Sequence, residues 1–354
     1  MNIGIPREIK VMEGRVALIP EACHELVRAG HKVSIESDAG KLSAYTNQQY
    51  QAVGVEVLAS AQEVYAQAEL IVKVKEPLPE ELALLRSDHI LFSFLHLAAN
   101  KVLTQALQDI GLTAIAFETV ERDTLLPLLA PMSSIAGIVA AQTASNLLFQ
   151  HQGGRGILLG GSSASARANA VVLGAGVAGS AAIGVLAALG ANVTVFDKNT
   201  EKLDNIRQLG NVNTEYAYQH SIMKALQTAD LLIGAVLVPG AKAPQIVSTD
   251  MVATMPEASI ILDISVDQGG CIETIHPTTY AEPVYIEQGV LHYAVSNIPG
   301  AVPRTATQAL CAVLLPYVLA LANKQVESAP GLLSGYNIQS GEVIHKTVAE
   351  ALAS

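Results

Sequence analysis

Charged residues and cysteines are both scarce in this sequence. Only 15% of the 354 residues are charged, and 32 acidic against 21 basic side chains give a formal net charge of −11. A surface with this excess of negative charge is a poor partner for nucleic acid or for an anionic membrane. The three cysteines, Cys23, Cys271 and Cys311, are too few and too far apart for a disulfide framework or a zinc site. They indicate a reducing compartment, and we expect no metal centre.

A secretion signal and a low-complexity tract are missing as well. The N-terminal stretch "MNIGIPREIK" has no apolar core of the kind that directs export. The most membrane-like segment, residues 173–191, is interrupted by glycines and follows a strand-like run. We interpret it as a buried segment of a soluble protein, because a bilayer span is a longer unbroken apolar helix. These features predict a cytoplasmic protein with no membrane partner.

Short apolar runs that predict strands alternate with helix-like stretches in two series. The runs of the first series are residues 2–8, 31–37, 70–76, 89–96 and 112–120, and those of the second are residues 169–176, 191–197, 229–236, 259–265 and 290–297. Continuous apolar strands separated by helices are typical of a parallel sheet covered on both faces. A chain of this length also exceeds one ordinary core. The sequence therefore predicts an α/β fold with two doubly wound, Rossmann-like domains.

Long helical patterns border the second series, at residues 133–156 and after residue 303. Helices at both borders indicate that the chain passes from one domain to the other twice. We predict a discontinuous substrate domain formed by residues 1–128 and 305–354, and a dinucleotide-binding domain formed by residues 129–304. A cleft and a hinge are expected between them.

The run "VVLGAGVAG" carries a dinucleotide fingerprint. Gly174, Gly176 and Gly179 have the spacing that permits a tight turn, close approach of a pyrophosphate, and packing of a helix on a strand. The helix that opens near Val177 would hold the pyrophosphate at its N-terminus. A second strand ends at Asp197, about 20 residues further on, where a carboxylate accepts from the ribose hydroxyls. An acid there disfavours a 2′-phosphate, so the predicted cofactor is NAD.

Four polar residues are candidates for the chemistry. His96, Lys75 and Asp267 follow apolar strands, and Arg15 lies in the loop between the first strand and the first helix. Ligands of open α/β sheets bind at such strand ends. Lysine and arginine suit a carboxylate substrate, and histidine suits proton transfer near neutral pH. The alternatives are a core histidine, a solvated lysine, a surface arginine and a turn-forming aspartate.

A second lysine stands in the same run, "LIVKVKEPLPE". The run at residues 70–76 is predicted as a strand, and its alternation places Lys73 and Lys75 on the same side, with Val74 opposite. Lys75 lies at the strand end, so we take Lys73 as structural. It is expected either to be paired or to extend its ammonium group outward to water.

The sequence resembles the L-alanine dehydrogenase family, within the alanine dehydrogenase and transhydrogenase superfamily. The resemblance is carried by stretches spread over nearly the whole chain, among them "GIPREIK", "EGRVALIP", "KVKEP", "FLHLA", "GAVLVPGAKAP", "DISVDQGG" and "VSNIPGAVPRTAT". It implies NAD-dependent, reversible deamination of L-alanine to pyruvate and ammonium. It also implies a substrate domain split around a central NAD domain, and a homo-oligomer, usually a hexamer.

The resemblance assigns roles to the candidate residues. Arg15 and Lys75 would bind the carboxylate and carbonyl of the substrate. His96 would be the general acid and base, and Asp267 would orient substrate and water or share the proton transfer. Cofactor contacts would come from Ser133, Gly174, Gly176, Val177, Gly179, Asp197, Lys202, Val236 and Leu237, from Ile264, Ser265, Val266 and Asp267, and from Val295, Ser296, Asn297 and Ile298.

Two other functions compete with alanine dehydrogenase. The NAD-binding part of a transhydrogenase shares "GIPRE", but it lacks the "KVKEP" and "FLHLA" patterns. A lysine- or opine-type dehydrogenase would use a related lysine and histidine on a larger amino acid, and the sequence does not give the size of the pocket. Residues 162–170, "SSASARANA", depart from the family, which predicts a local change of loop.

Overall fold

The computed structural model describes residues 1–210, 212–236 and 243–353. The chain forms two compact units: unit 1 comprises Met1–Met132 and Gly300–Ser354, and unit 2 comprises Ser133–Pro299. Both are built on mainly parallel sheets with helices, so the predicted α/β class with two Rossmann-like units is confirmed.

The strands and helices are numbered along the chain. The strands are β1 (Asn2–Ile5), β2 (Lys32–Glu36), β3 (Glu56–Leu58), β4 (Leu70–Val72), β5 (Ile90–Ser93), β6 (Thr113–Ala116), β7 (Asn169–Leu173), β8 (Asn192–Asp197), β9 (Val212–Tyr216), β10 (Leu231–Gly234), β11 (Ile260–Asp263), β12 (Val284–Glu287), β13 (Val290–Tyr293), β14 (Tyr336–Gln339) and β15 (Glu342–Val343). The α-helices are α1 (Pro20–Arg28), α2 (Asn47–Ala52), α3 (Ala61–Gln67), α4 (Pro79–Leu82), α5 (Lys101–Ile110), α6 (Ala130–Leu147), α7 (Val177–Ala188), α8 (Thr200–Arg207), α9 (Gln219–Leu226), α10 (Thr249–Val252), α11 (Pro303–Ala322) and α12 (Lys346–Ala353).

The sheet of unit 1 has the order β15-β14-β6-β5-β4-β1-β2-β3. From β6 to β3 all neighbours are parallel, whereas β14 pairs antiparallel with β6 and with β15. The central strands are fully buried, as Ile3, Leu70 and Leu91 illustrate. Their apolar runs are therefore continuous, as expected for strands covered on both faces.

The sheet of unit 2 has the order β12-β13-β11-β10-β7-β8-β9, and only β12 among these strands runs antiparallel to its neighbour. Successive residues of β7 point to opposite faces, so Val172 packs into one hydrophobic cluster and Val171 into another. Both faces of this sheet are thus buried, which explains the unbroken apolar run at residues 170–173.

Several strands are shorter than the apolar runs that predicted them. The run 89–96 yields β5, which ends at Ser93, and the run 290–297 yields β13, which ends at Tyr293. The run 70–76 yields β4, which ends at Val72, and a bend follows at residues 74–75. The placement of Lys73 and Lys75 on one side of a strand is therefore wrong, because neither residue is in the strand.

Helix α11 is long and apolar enough to cross a membrane, whereas α7 has only 12 residues. More than half of the apolar window of α11 is buried inside the fold, as in the core helix of many soluble proteins. The sequence ranked residues 173–191 as the most membrane-like segment, and the described residues place α11 ahead of it. Residues 162–165 form a tight turn before β7, where the sequence departs from the family.

Candidate active site

Three predicted substrate residues follow neighbouring strands of unit 1. Strands β1, β4 and β5 lie side by side and run parallel. Lys75 and His96 each lie three residues beyond the end of a strand, after β4 and β5 respectively, and Arg15 lies in the loop between β1 and α1. Since parallel strands end at one edge of their sheet, the topology brings the three segments to a common edge.

Arg15 is a buried residue, with 3% of its surface exposed. Its Nε and Nη2 donate to Glu13 Oε1 and Oε2 at 2.7 Å and 2.5 Å, and Nη1 donates to Met132 Sδ at 3.2 Å. A two-point pair with a carboxylate fixes the plane of a guanidinium group. The alternative of a mobile surface arginine is excluded, because the group is both buried and clamped.

Lys73 and Lys75 have different environments. The Lys73 side chain is 1% exposed, and its Nζ donates to Glu81 Oε1 and Oε2 at 2.5 Å and 2.6 Å. The prediction of a paired, structural Lys73 is confirmed, and that of an outward-pointing ammonium is wrong. Lys75 is half-buried and lies beside Glu76. Burial alone would raise the pKa of Glu76, but the charge of Lys75 and a hydrogen bond from Lys10 bring that pKa below its usual value.

The side chain of His96 is exposed, whereas its backbone is held by a hydrogen bond. The 46% exposed side chain stacks on Phe94, with ring centroids 6.1 Å apart and an angle of 7° between the planes. The residue has a left-handed φ of 51°, and its N–H donates to Glu118 Oε1 at 2.6 Å. The ring Nδ1 lies 3.9 Å from the same carboxylate oxygen. The alternative of a buried core histidine is excluded, and Glu118 can orient the ring.

The glycine fingerprint of unit 2 forms a strand–turn–helix junction between β7 and α7. Gly174 has a φ of +100°, and a Cβ on Gly179 would lie 1.8 Å from the carbonyl oxygen of Gly174. A side chain is therefore impossible at Gly179 without moving the turn. A Cβ on Gly176, in contrast, would meet no atom of the described residues within 4 Å. The junction thus leaves space beside Gly176 at the N-terminus of a 12-residue helix that begins at Val177.

Asp197 ends β8 next to this junction. Its Oδ2 accepts from the N–H of Ala175 at 2.7 Å, and its Oδ1 accepts from the N–H of Asn199 at 2.8 Å. The carboxylate is half-buried, and therefore lies against the glycine turn with room to accept further hydrogen bonds. Lys202 is exposed in the first turn of α8, where Asn199 caps its N–H at 3.1 Å. Asp197 thus lies at the end of β8, and Lys202 lies in the first turn of the helix that follows.

Helix α6 approaches the N-terminus of α7 through a glycine. A Cβ on Gly137 would lie 2.1 Å from the carbonyl oxygen of Ala178. Ser133 is four residues earlier on α6, so it lies on the same helix face as Gly137. Val236, beyond the end of β10, is half-buried and would lie 3.4 Å from a Cβ on Gly174. Leu237, the next predicted cofactor contact, lies outside the described residues.

The loop after β11 presents Asp267. Asp263 is fully buried at the end of β11, and its carboxylate accepts from the N–H groups of Ser265 and Cys271 at 2.8 Å and 2.7 Å. Burial raises the pKa of Asp263. The loop closed in this way carries Asp267 on its exposed side, next to Val266 and Ile264. The glycines Gly269 and Gly270 that follow have positive φ, so the turn is as well defined as the sequence suggested.

The segment after β13 meets the same loop. Asn297 has a left-handed φ of 61°, and its N–H donates to Asp267 Oδ2 at 3.4 Å. Tyr280 donates to the carbonyl of Ile298 at 3.1 Å, which anchors the end of the segment. Val295 is buried and Ser296 half-buried. The predicted cofactor contacts of these two loops therefore lie side by side, because β11 and β13 are neighbours.

Carboxylates that support the predicted residues were not found from the sequence. Glu13 clamps Arg15, Glu118 holds the His96 backbone, and Asp263 closes the Asp267 loop. A fourth, Glu8, accepts from the backbone of Lys75 at 3.3 Å. Their sequence signal is weak, since an acid that lies anywhere from 2 to 67 residues from its partner is not distinguished by spacing. Among the described residues no group of three or more His, Cys, Asp or Glu is placed to hold a metal ion.

Comparison with known proteins gives matches along the whole chain. Family models described as "Alanine dehydrogenase/PNT, N-terminal domain" and "Alanine dehydrogenase/PNT, C-terminal domain" match residues 4–136 and 140–346. An alanine dehydrogenase of Methanococcus maripaludis is 48% identical, with 99% of this chain and 96% of that protein covered. One from Bacillus subtilis is 45% identical, with coverages of 99% and 95%. The chain belongs to the alanine dehydrogenase/PNT family.

Solved structures place it within that family. An L-alanine dehydrogenase structure, 46% identical, superposes with a TM-score of 0.96 and covers 100% of this chain and 99% of its own. A transhydrogenase from Sinorhizobium meliloti has a TM-score of 0.82 at 24% identity, over 98% and 99% of the two chains. That second likeness shows the shared fold alone. The resemblance to the alanine dehydrogenase family inferred from the sequence motifs is confirmed.

Proposed function

We infer that this chain is an NAD-dependent alanine dehydrogenase. It converts L-alanine, NAD⁺ and water reversibly into pyruvate, ammonium, NADH and a proton. The observation that carries this inference is the identity of 45% to 48% with alanine dehydrogenases over 99% of the chain. The residues that would perform the reaction, and the steps assigned to them below, are our proposal.

The residues of unit 2 fit a dinucleotide. The space beside Gly176 and the N–H groups at the start of α7 suit a pyrophosphate, and Asp197 offers carboxylate oxygens to the ribose. Ser133, Lys202 and Val236 would add contacts around this path, and the loops after β11 and β13 would flank the nicotinamide. NAD, when bound, takes up the hydrogen of the alanine Cα together with its two electrons.

Arg15 and Lys75 would bind the substrate. Arg15, whose guanidinium group Glu13 holds in a fixed plane through Nε and Nη2, would bind the carboxylate of the substrate. Lys75 would hold the carbonyl oxygen of pyruvate and stabilise the negative charge that develops there. Two groups that hold adjacent atoms of one small substrate fix its orientation.

His96 and Asp267 would move the protons. His96 is exposed at the strand edge, so it can reach a water molecule, and its ring Nδ1 lies 3.9 Å from a carboxylate oxygen of Glu118. As a base it would take a proton from the water that attacks the imine, and as an acid it would assist loss of ammonia from the carbinolamine. Asp267 would orient that water and the amino group.

An assay of NADH oxidation with a panel of 2-oxo acids, with and without ammonium, tests the function. We expect turnover of pyruvate that requires ammonium, and faster oxidation of NADH than of NADPH. A larger 2-oxo acid used in preference to pyruvate would indicate a dehydrogenase of another amino acid. Hydride exchange between nucleotides without any oxo acid would indicate a transhydrogenase activity and contradict the proposal.

We also propose a cytoplasmic homo-oligomer, a hexamer by the resemblance to the family, with small molecules as its substrates. The reducing environment suits three free, buried cysteines in the described residues. Light scattering coupled to size-exclusion chromatography measures the mass directly against the 37.1 kDa of one chain. A monomeric active enzyme would rule out the assembly and leave the chemistry intact.

A further inference from the structure

Buried charges surround the bend that carries Lys75. Lys73 Nζ pairs with both oxygens of Glu81 and lies 3.8 Å from Glu8 Oε2. Glu81 Oε1 also accepts from the hydroxyl of Tyr65 at 3.0 Å, and Oε2 accepts from the N–H of Leu78 at 2.9 Å. Charges buried in this way are expensive unless each has a partner. The cluster therefore fixes its members firmly.

Glu8 connects this cluster to the bend. Its Oε1 accepts from the N–H of Val74 at 2.5 Å and from the N–H of Lys75 at 3.3 Å. Strand β4 has already ended at Val72, although the carbonyl of Val74 still accepts from the N–H of Phe94. The N–H groups of Val74 and Lys75 donate to Glu8 and not to a neighbouring strand. Buried N–H groups need acceptors, so Glu8 takes the place that a neighbouring strand would otherwise fill.

Three charged side chains act on Glu8, namely Lys73, Glu13 and Glu81. Glu81 pairs with Lys73, and Glu13 pairs with Arg15. Burial raises the pKa of Glu8 to about 7; the nearby Glu13 and Glu81 also raise it, while Lys73 and the Val74 N–H act in the opposite direction. The Glu8 carboxyl group therefore changes its protonation state near neutral pH.

We propose that Glu8 is a positioning residue for Lys75: it accepts from the N–H groups of Val74 and Lys75, and so holds the backbone from which the Lys75 ammonium meets the substrate. This proposal rests on the substrate role of Lys75 stated above. Below pH 7 Glu8 is neutral, so it still accepts from the backbone of the bend but adds no negative charge there. Above pH 7 its negative charge opposes an incoming carboxylate, so binding of pyruvate weakens.

The first experiment separates positioning from stability. Glu8→Ala removes the acceptor, and at pH 6, where Glu8 is neutral, we expect the pyruvate KM to rise about tenfold while the NADH dissociation constant stays within twofold. Glu36→Ala is the matched control, because Glu36 is also buried in unit 1 and accepts from a backbone N–H, that of Arg7, at 2.8 Å. An equal change of the pyruvate KM in both variants, or no change in Glu8→Ala, would overturn the proposal.

The second experiment keeps the fold and removes the titration. Glu8→Gln retains an oxygen acceptor, so we expect a pyruvate KM equal to that of the wild type at pH 6. Between pH 6 and pH 8 the wild-type KM should rise several-fold relative to that of Glu8→Gln, and melting curves confirm that the variant is folded. Parallel pH profiles of the two proteins would overturn the proposal. A wild type that does not use pyruvate at all would overturn the proposed function, and this inference with it.

Discussion

At the scale of single residues, His96 is the proposed proton-transfer group. Its side chain is 46% exposed and its backbone is fixed by Glu118, so the imidazole contributes little to packing. We expect His96→Ala to lower kcat by about 100-fold or more, the usual size of general acid–base catalysis. The NADH dissociation constant and the melting temperature should stay close to those of the wild type.

Steady-state kinetics and NADH fluorescence titration measure these quantities. The control is His24→Ala, which removes an exposed histidine from α1. If His96→Ala lost NADH binding or unfolded, the residue would have a structural role.

The two lysines of "KVK" provide a second contrast at this scale. Lys73→Met leaves Glu81 buried without its cation, which we expect to reduce the free energy of unfolding by about 3 to 5 kcal/mol. Lys75→Met should change that free energy by less than about 1 kcal/mol, because the side chain is only half-buried. It should instead raise the pyruvate KM about tenfold or more. Denaturant unfolding and pyruvate kinetics on both variants check the contrast, and the reverse pattern would contradict it.

At the scale of elements, two glycines of the β7–α7 junction have different roles. Gly179 is needed for the turn to fold, whereas Gly176 leaves room for the cofactor. Gly179→Ala would place a Cβ 1.8 Å from a carbonyl oxygen, so we expect loss of both stability and NADH binding. Gly176→Ala meets no described atom within 4 Å, so it should fold normally and bind NADH more weakly.

Gly184 supplies the control for these two variants. It lies inside α7, and a Cβ there would also meet no described atom within 4 Å. Gly184→Ala should stabilise unit 2 by about 0.5 to 1 kcal/mol through helix propensity and leave NADH affinity unchanged. Calorimetry and fluorescence titration of the three variants test the series. Unchanged NADH binding in Gly176→Ala would show that the pyrophosphate does not lie there.

Central elements could be predicted from the sequence, and edge elements could not. The strands that were predicted include β1, β4 and β5 in unit 1 and β7, β10 and β11 in unit 2. These strands are buried on both faces, and their sequences are therefore continuously apolar. The strands that were missed are β3, β9, β12, β14 and β15, which lie at or next to sheet edges. Their faces are partly solvated, so runs such as "VNTEY" in β9 carry no apolar pattern.

The candidate site follows the same logic. Arg15, Lys75, His96 and Asp197 could be predicted because they stand at strand ends or in a fingerprint of fixed spacing. Their supporting acids could not, because Glu8 meets Lys75 across 67 positions of sequence. Such a contact depends on strand order, which apolar patterning leaves open.

At the scale of the whole molecule, each unit contains a buried neutral histidine. In unit 1, His89 Nδ1 accepts from the N–H of Arg86 at 3.0 Å, and burial followed by the Arg86 charge lowers its pKa. In unit 2, His292 shares a 2.8 Å hydrogen bond with Thr274, and burial lowers its pKa. Because the folded pKa values are depressed, their stability contribution is complete above about pH 6.5 and is lost as the pH falls from there through the folded values.

We therefore expect these two histidines to lower the melting temperature between pH 7.5 and pH 5.5, while protonation of Glu8, whose pKa is raised to about 7, acts in the opposite direction. In His292→Gln the protein should be less stable than the wild type at pH 7.5 but should lose less stability over the same interval. Calorimetry at several pH values gives both numbers. An identical fall in wild type and variant would mean that His292 does not contribute to the acid sensitivity.

The two-part construction of unit 1 has a consequence for the newborn chain. Strands β14 and β15 complete its sheet beside β6, yet they are made after all of unit 2. While the ribosome is still working, unit 2 already has its whole sheet, but β6 presents unpaired N–H and C=O groups to any strand nearby. Each nascent chain therefore passes through a period in which β6 is an unpaired edge strand, until β14 and β15 have been synthesised.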